Sequence, residues 1–372
     1  MATALLHIYR AHCGTGSWTA AHQQVTTMTR APVRIGPNRC GLHQGAVEIA
    51  YVLHTAGRTA YAPALDNLDR HISCAARTRL AAAHQRIDMG HLPELREFDL
   101  ISGLTGIGVY LLHRQACGEL LEDILAYLVR LTGPIHSQGE TVPGWWTGNG
   151  LADQPSADRP GGHGNLGLAH GITGPLALLS AGMRRGITVP GQADAIAIIC
   201  SWLDQWRIGT GARAWWPGLI SRLEHRHGHV HQEGPQRPSW CYGTPGIARA
   251  QQLAGLATGN MGRQHAAELA LAGCVTDKSQ LAQLQDASVC HGWAGLTLTT
   301  RRAAADADPD SPLPNLVPHL ADQLREAAAS DHSLRAGSGL LLGADGVELT
   351  SQTLHGGWPP SCPWDTCLLL AG

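Results

Sequence analysis

Two cysteines and a histidine carry the strongest chemical signal in this sequence of 372 residues. Cys241 stands in Ser239-Trp-Cys-Tyr-Gly243, and Cys290 and His291 stand in Val289-Cys-His-Gly292. Each cysteine lies two residues before a glycine that opens an apolar, helix-like run. Two thiolates and one imidazole suit a borderline-soft divalent ion such as Zn²⁺. Three protein ligands leave a fourth position open, the pattern of a catalytic rather than a structural site. Taken singly, each of these residues reads as a small buried hydrophobe or a core histidine. A CxxC pair would be a stronger local signal. What favours a shared site is the repeat in which all three stand.

Other reactive side chains keep the same register. His170 directly precedes Gly171, as His291 precedes Gly292, and should face the same cavity. A histidine there can move protons near neutral pH. Asp99 lies four residues before Gly103; its alternative reading is a helix cap or a solvated acid. Arg237 lies four residues before Cys241, and Tyr242 follows it. Either can hold an enolate or carbonyl oxygen, with a surface cation and a packed ring as their alternatives. The His-rich stretch from His225 to His231 reads as a solvated loop, because most of the 21 histidines must be incidental.

The elements that would position these groups form a repeat. A glycine, two residues and a second glycine precede an apolar run at Gly103, Gly171, Gly243, Gly292 and Gly343. An early, degraded copy starts at Gly45, with Glu48 in the second glycine's place. Each interval can hold two helices, which argues for stacked helix pairs. Apolar residues at three- and four-residue steps predict helices over Leu120–Leu131, Asp194–Trp206 and Asn315–Ala328. Few runs alternate with period two, so strands should be rare. The chain opens inside a helix-like stretch, Thr3–Tyr9, with no glycine pair before it. The first repeat therefore reads as incomplete, and closure of a ring is an open question. Residues 134–165 and 209–240, rich in Gly, Pro and Trp, read as long functional loops on one face. No linker divides the chain, so residues 1–372 are expected to form one domain.

Composition narrows the class. Hydrophobic residues make up 44% and charged residues 15%, enough apolar material for a core. A net charge of -2 gives no sign of a nucleic-acid partner. No apolar stretch approaches the roughly 20 residues that span a bilayer. The first ten residues lack a signal-peptide pattern. A cytoplasmic location is expected, with the ten scattered cysteines mostly free thiols.

Together these strings resemble the lanthionine synthetase C family. The resemblance rests on Ser102-Gly-Leu-Thr-Gly106, Asn165-x-Gly-x-Ala-His-Gly171, Trp240-Cys-Tyr-Gly-x-Pro-Gly246 and Cys290-His-Gly-x-Ala-Gly295. The closing Pro363-Trp-Asp-Thr-Cys-Leu-Leu-Leu370 is similar to the ends of actinobacterial members. It implies an all-α fold, an α/α toroid with an inner ring of helices inside an outer ring, up to seven of each. It implies one Zn²⁺ held by Cys241, Cys290 and His291, acid/base roles for His170 and Asp99, and Arg237 and Tyr242 nearby. It implies addition of peptide cysteine thiols to dehydroalanine or dehydrobutyrine, giving thioether rings. The partners it implies are a dehydrated precursor peptide with leader and core, a separate dehydratase, and peripheral association with a membrane-bound biosynthetic complex. Two other readings keep the same metal site. One adds glutathione to dehydroamino acids in damaged proteins; the other is a non-catalytic, zinc-containing scaffold that binds leader peptides. A glycoside-processing toroid would need paired acids, for which only Asp99 and Glu97 qualify.

Overall fold

In the computed structural model, residues 1–36, 39–115, 118–150, 159–331, 337–359 and 361–372 are described. The glycine pairs of the sequence each end a loop and start a helix. The first pair of helices is α1 (Ala2–His12) and α2 (Trp18–Met28). The second is α3 (Gly45–Ala56) and α4 (Ala62–Asp88). After the single turn α5 (Leu95–Phe98) come α6 (Leu104–Arg114) and α7 (Gly118–Leu131). Then follow α8 (Thr173–Arg184) and α9 (Gln192–Gln205). The short α10 (Arg222–His227) leads to α11 (Thr244–Thr258) and α12 (Met261–Thr276). The short α13 (Lys278–Leu281) leads to α14 (Trp293–Ala305) and α15 (Leu313–Ser330), and α16 (Ala344–Gly356) is the last long helix.

Burial sorts these helices into two layers. In α8 every residue from Thr173 to Gly182 is buried, and in α11 every residue from Thr244 to Gly255. A helix buried all round belongs inside. In α15 only Leu313, Leu320 and Leu324 are buried, a single stripe facing inward. The inner layer is α1, α3, α6, α8, α11, α14 and α16. Each touches the next, and α16 touches α1, so the ring closes. This answers the question left by the first repeat: α1 occupies an inner position without a glycine pair before it. Six of the seven inner helices are followed by an outer one; α16 has none among the described residues.

The centre of the ring is not empty. Residues Cys362, Trp364, Asp365, Cys367, Leu368 and Leu370 are all fully buried. Inner helices from different sides hold this segment. Tyr51 on α3 donates to Trp364 O at 2.8 Å, and Arg249 on α11 donates through Nε to Leu370 O at 2.9 Å. Arg302 on α14 grips Asp365 with two bonds of 2.5 and 2.6 Å. Buried bonds to charged groups contribute about 1.5–3 kcal/mol each, so the segment is firmly anchored.

The two Trp-rich stretches are more structured than plain loops. Residues 151–158, in the first of them, lie outside the described residues. The described strands are four three-residue pieces: β1 (Ile135–Ser137), β2 (Glu140–Val142), β3 (His163–Asn165) and β4 (Leu219–Ser221). β1 pairs with β2, and β3 pairs antiparallel with β4 in the register Gly164 to Ile220. The β3–β4 pair ties one stretch to the other, as expected for loops on one face. It ends in α10, whose Ser221 and Glu224 form a capping box. The expected solvated stretch His225–His231 is corrected in part. His227, His229 and His231 are exposed, but the His225 ring packs 5.3 Å from Trp146 and 6.4 Å from Trp206.

Candidate functional site

Successive glycine loops are sewn together by their backbones. Leu100 N donates to Ala169 O at 3.1 Å, and Leu168 N donates to Cys241 O at 2.9 Å. Cys241 N donates to Cys290 O at 3.2 Å, and Cys290 N donates to Leu341 O at 2.8 Å. The residues two or three before each repeat glycine thus meet the residue two before the next. The second glycine of each pair makes this crossing possible. A β-carbon at Gly295 would collide with Val289 O, and one at Gly246 with Trp240 O. No side chain fits where the helix start passes under its own loop.

This stitching brings the predicted ligands together. Cys241 Sγ, Cys290 Sγ and a ring nitrogen of His291 all lie within 4.8 Å of one another. In a tetrahedral site with metal–sulfur bonds of about 2.3 Å, two sulfurs stand about 3.8 Å apart. The group can hold a metal ion, and no fourth ligand joins it among the described residues. Cys241 is buried, while Cys290 and His291 are partly open. The electrostatics are those of a site short of positive charge. The hydrogen bond from Cys290 holds the Cys241 thiol down at about 5 against its burial, with His291 and Ser239 adding to the effect. The same bond pushes the Cys290 thiol up. Two thiols sharing one proton form a donor set that a divalent cation fits.

A second cluster adjoins it. His170 Nδ1 lies 2.6 Å from Asp99 Oδ2. Asp99 Oδ1 accepts from Ser102 N at 2.8 Å and from Gly103 N at 2.6 Å, so the carboxylate is fixed from behind. Asp99 is buried, and a third of the His170 side chain is open to solvent. The His170 ring stacks 6.5 Å from the ring of Tyr242, the residue after Cys241. Burial pushes the Tyr242 phenol well up, keeping its proton on. Arg237 is half-buried and close enough for its charge to lower the Cys290 thiol, and it makes no hydrogen bond or ion pair among the described residues. All seven predicted site residues therefore fall in one neighbourhood.

Three residues were missed. Asn165 donates from Nδ2 to the Tyr242 hydroxyl at 2.9 Å. Asp286 Oδ2 lies 3.2 Å from His291 Nε2. His43, whose buried Nε2 has no partner among the described residues, is lowered to about 4 by burial, with the His170 charge adding to it. The repeat held the signal for each. His43 stands two residues before Gly45, as the cysteines stand before their glycines. Asn165 and Asp286 stand six before theirs, as Arg237 does.

A sequence profile described as lanthionine synthetase C-like protein matches residues 1–351. The chain belongs to the lanthionine synthetase C-like family. Within the family, it is 25% identical over 262 residues to the Nisin biosynthesis protein NisC of Lactococcus lactis subsp. lactis. That alignment takes in 68% of this chain and 60% of NisC, less than two thirds of the relative's length. The solved structure of a nisin cyclase superposes with a TM-score of 0.80 at 20% identity, covering 99% of this chain and 89% of that one. The double ring is thus the fold of that cyclase. No helix among the described residues is long and apolar enough to cross a membrane.

Proposed function

We propose that this protein is a zinc-dependent lanthipeptide cyclase. It joins cysteine thiols of a dehydrated precursor peptide to dehydroalanine or dehydrobutyrine, forming lanthionine and methyllanthionine rings. The observation that carries this reading is the placement of Cys241, Cys290 and His291 beside Tyr242 and the Asp99–His170 pair. Family membership and the likeness to NisC and nisin cyclase support it.

A zinc ion held by Cys241, Cys290 and His291 would supply an open position that lowers the pKa of an incoming peptide thiol. The chain's own groups do the rest. The buried Asp99 carboxylate, 2.6 Å from Nδ1 of His170, orients that ring, a third of whose side chain is open to solvent. His170 takes the thiol proton as the sulfur–carbon bond forms at the β-carbon. It then returns a proton to the α-carbon, so the S–H adds across the double bond with nothing left over. Negative charge appears on the carbonyl oxygen as the enolate forms. The Tyr242 hydroxyl and the Arg237 guanidinium are the donors at hand. Asn165 donates to the phenol oxygen, so the Tyr242 proton remains free to point at substrate.

The closed ring supports reading residues 1–372 as one domain. The nine described cysteines are all unbridged, which suits a reducing, cytoplasmic setting. A separate dehydratase would supply the dehydrated peptide, and contact with a membrane-bound biosynthetic complex would be peripheral. The test is mass spectrometry of a dehydrated, cysteine-containing peptide incubated with the zinc-loaded protein and then alkylated. Loss of alkylatable thiol without change of peptide mass is expected. Unchanged alkylation overturns the reading, and a peptide mass raised by added glutathione would redirect it to thiol transfer.

A further inference from the structure

The position six residues before a repeat glycine is used twice with the same backbone. Asn165 Oδ1 accepts from Gly167 N at 2.9 Å, and Asp286 Oδ1 accepts from Ser288 N at 2.8 Å. The carbonyls match as well: Asn165 O accepts from Ile172 N at 2.9 Å, and Asp286 O accepts from Trp293 N at 3.2 Å. A β-carbon at Gly171 or Gly292 would collide with the carbonyl and side-chain oxygens of that residue. The turn thus asks only for a short side chain with one Oδ1 acceptor, which Asn and Asp supply equally. The second terminal atom is free to differ. In Asn165 it is an amide nitrogen facing the Tyr242 hydroxyl; in Asp286 it is a carboxylate oxygen facing His291 Nε2 at 3.2 Å.

We infer that Asp286 is the positioning residue of the metal centre, accepting the Nε2–H of His291 and so presenting Nδ1 toward the two cysteine sulfurs. The inference deepens the proposed function and rests on its metal assignment. A carboxylate on the far nitrogen of a ligating imidazole fixes its tautomer and orientation and strengthens it as a ligand. An amide at the same place would keep the turn, as Asn165 demonstrates, but would put a donor against the Nε2–H. The ring must then rotate or adopt the other tautomer, with its proton on the nitrogen meant for the metal. Asp286 is held by the Ser288 amide and acts on His291 from outside the donor group.

The experiment uses the full chain and zinc alone. Zinc affinity is measured by competition with a chromophoric chelator for the wild type, Asp286→Asn and Asp286→Ser, and for Cys241→Ala as the ligand control. Ser retains a turn acceptor but cannot reach His291, so it serves if Asn disturbs the fold. Circular dichroism of each metal-free variant checks that fold. Wild type should bind one zinc, Cys241→Ala none, and both Asp286 variants one zinc with affinity lower by about tenfold to a hundredfold. With cobalt in place of zinc, the ligand-field bands should shift while the thiolate charge-transfer intensity persists. Wild-type affinity and an unchanged cobalt spectrum in a folded Asp286 variant overturn the inference and leave the metal assignment standing. Absence of zinc from the wild type, or its retention in Cys241→Ala, overturns both.

Discussion

Cys241 N donates to Cys290 O at 3.2 Å, and this bond joins the loops of two adjacent repeats that carry the proposed metal ligands. The pairing puts both sulfurs on the same rim although 49 residues of chain, from 241 to 290, separate them. It also fixes Tyr242 on the side facing His170. Proximity of the Cys/Cys/His group to the Asp99–His170 pair is therefore a property of the backbone register.

Replacing Cys290 with alanine removes one of the three proposed ligands and leaves the Cys241 thiolate without the hydrogen bond that stabilises it. The variant is expected to bind no stoichiometric zinc and to form no rings. Metal analysis of the purified protein, beside peptide mass spectrometry, checks both halves of this expectation.

His170→Asn should leave zinc in place, because His170 is no part of the donor group. Cyclisation should slow by about 10²–10⁴-fold, the usual contribution of a positioned acid/base group. Asp99→Asn should slow it too, and the double variant should be little worse than His170→Asn alone, since Asp99 acts through the histidine. Full additivity in rate measurements would show that the two work separately.

Much of this was legible because the repeat writes the ring's geometry into the sequence. Glycine pairs recur where loops must cross helix starts, and residues at a fixed distance from them share a rim. The placement of Cys241, Cys290, His291, His170 and Tyr242 follows from that register. Asn165 and Asp286 follow too, once position six before the glycine is taken as a class beyond Arg237. What was hidden depends on contacts between distant segments. Closure of the ring rests on α1 packing against α16, for which the first repeat has no glycine sign. The central plug depends on Arg249, Arg302 and Tyr51 reaching residues 364–370. His225 was misplaced because its neighbours in sequence are polar while its partners Trp146 and Trp206 are remote.

Gly295→Ala tests the crossing itself. The added methyl meets Val289 O, which is backbone and cannot rotate away. Overpacking of this kind costs about 1–3 kcal/mol, and the loop carrying Cys290 must move to relieve it. Denaturant melts should show the loss in stability, and zinc affinity should fall with it. A variant as stable as wild type would show that the loop has room.

Stability should also fall in acid through half-buried histidines. Burial, and then the charge of His54, lowers His113 from 6.5 to about 3. Its ring lies 4.7 Å from that of His54, so the two cannot both be charged cheaply. The unfolded chain binds more protons than the folded one across this window. Stability is therefore complete above about pH 6.5 and is lost as pH drops toward the folded value. Thermal melts of His113→Gln should show a weaker dependence on acid than wild type; identical slopes would assign the acid sensitivity elsewhere.

X-ray absorption at the zinc edge, on loaded protein before and after addition of a cysteine-containing peptide, tests the central claim most directly. Two sulfurs at about 2.3 Å and one imidazole nitrogen at about 2.0 Å, with a light atom in the fourth place, are predicted for the protein alone. A third sulfur should replace that light atom when the peptide is added. A coordination shell already filled by four protein ligands, or one that the peptide leaves unchanged, would contradict the account.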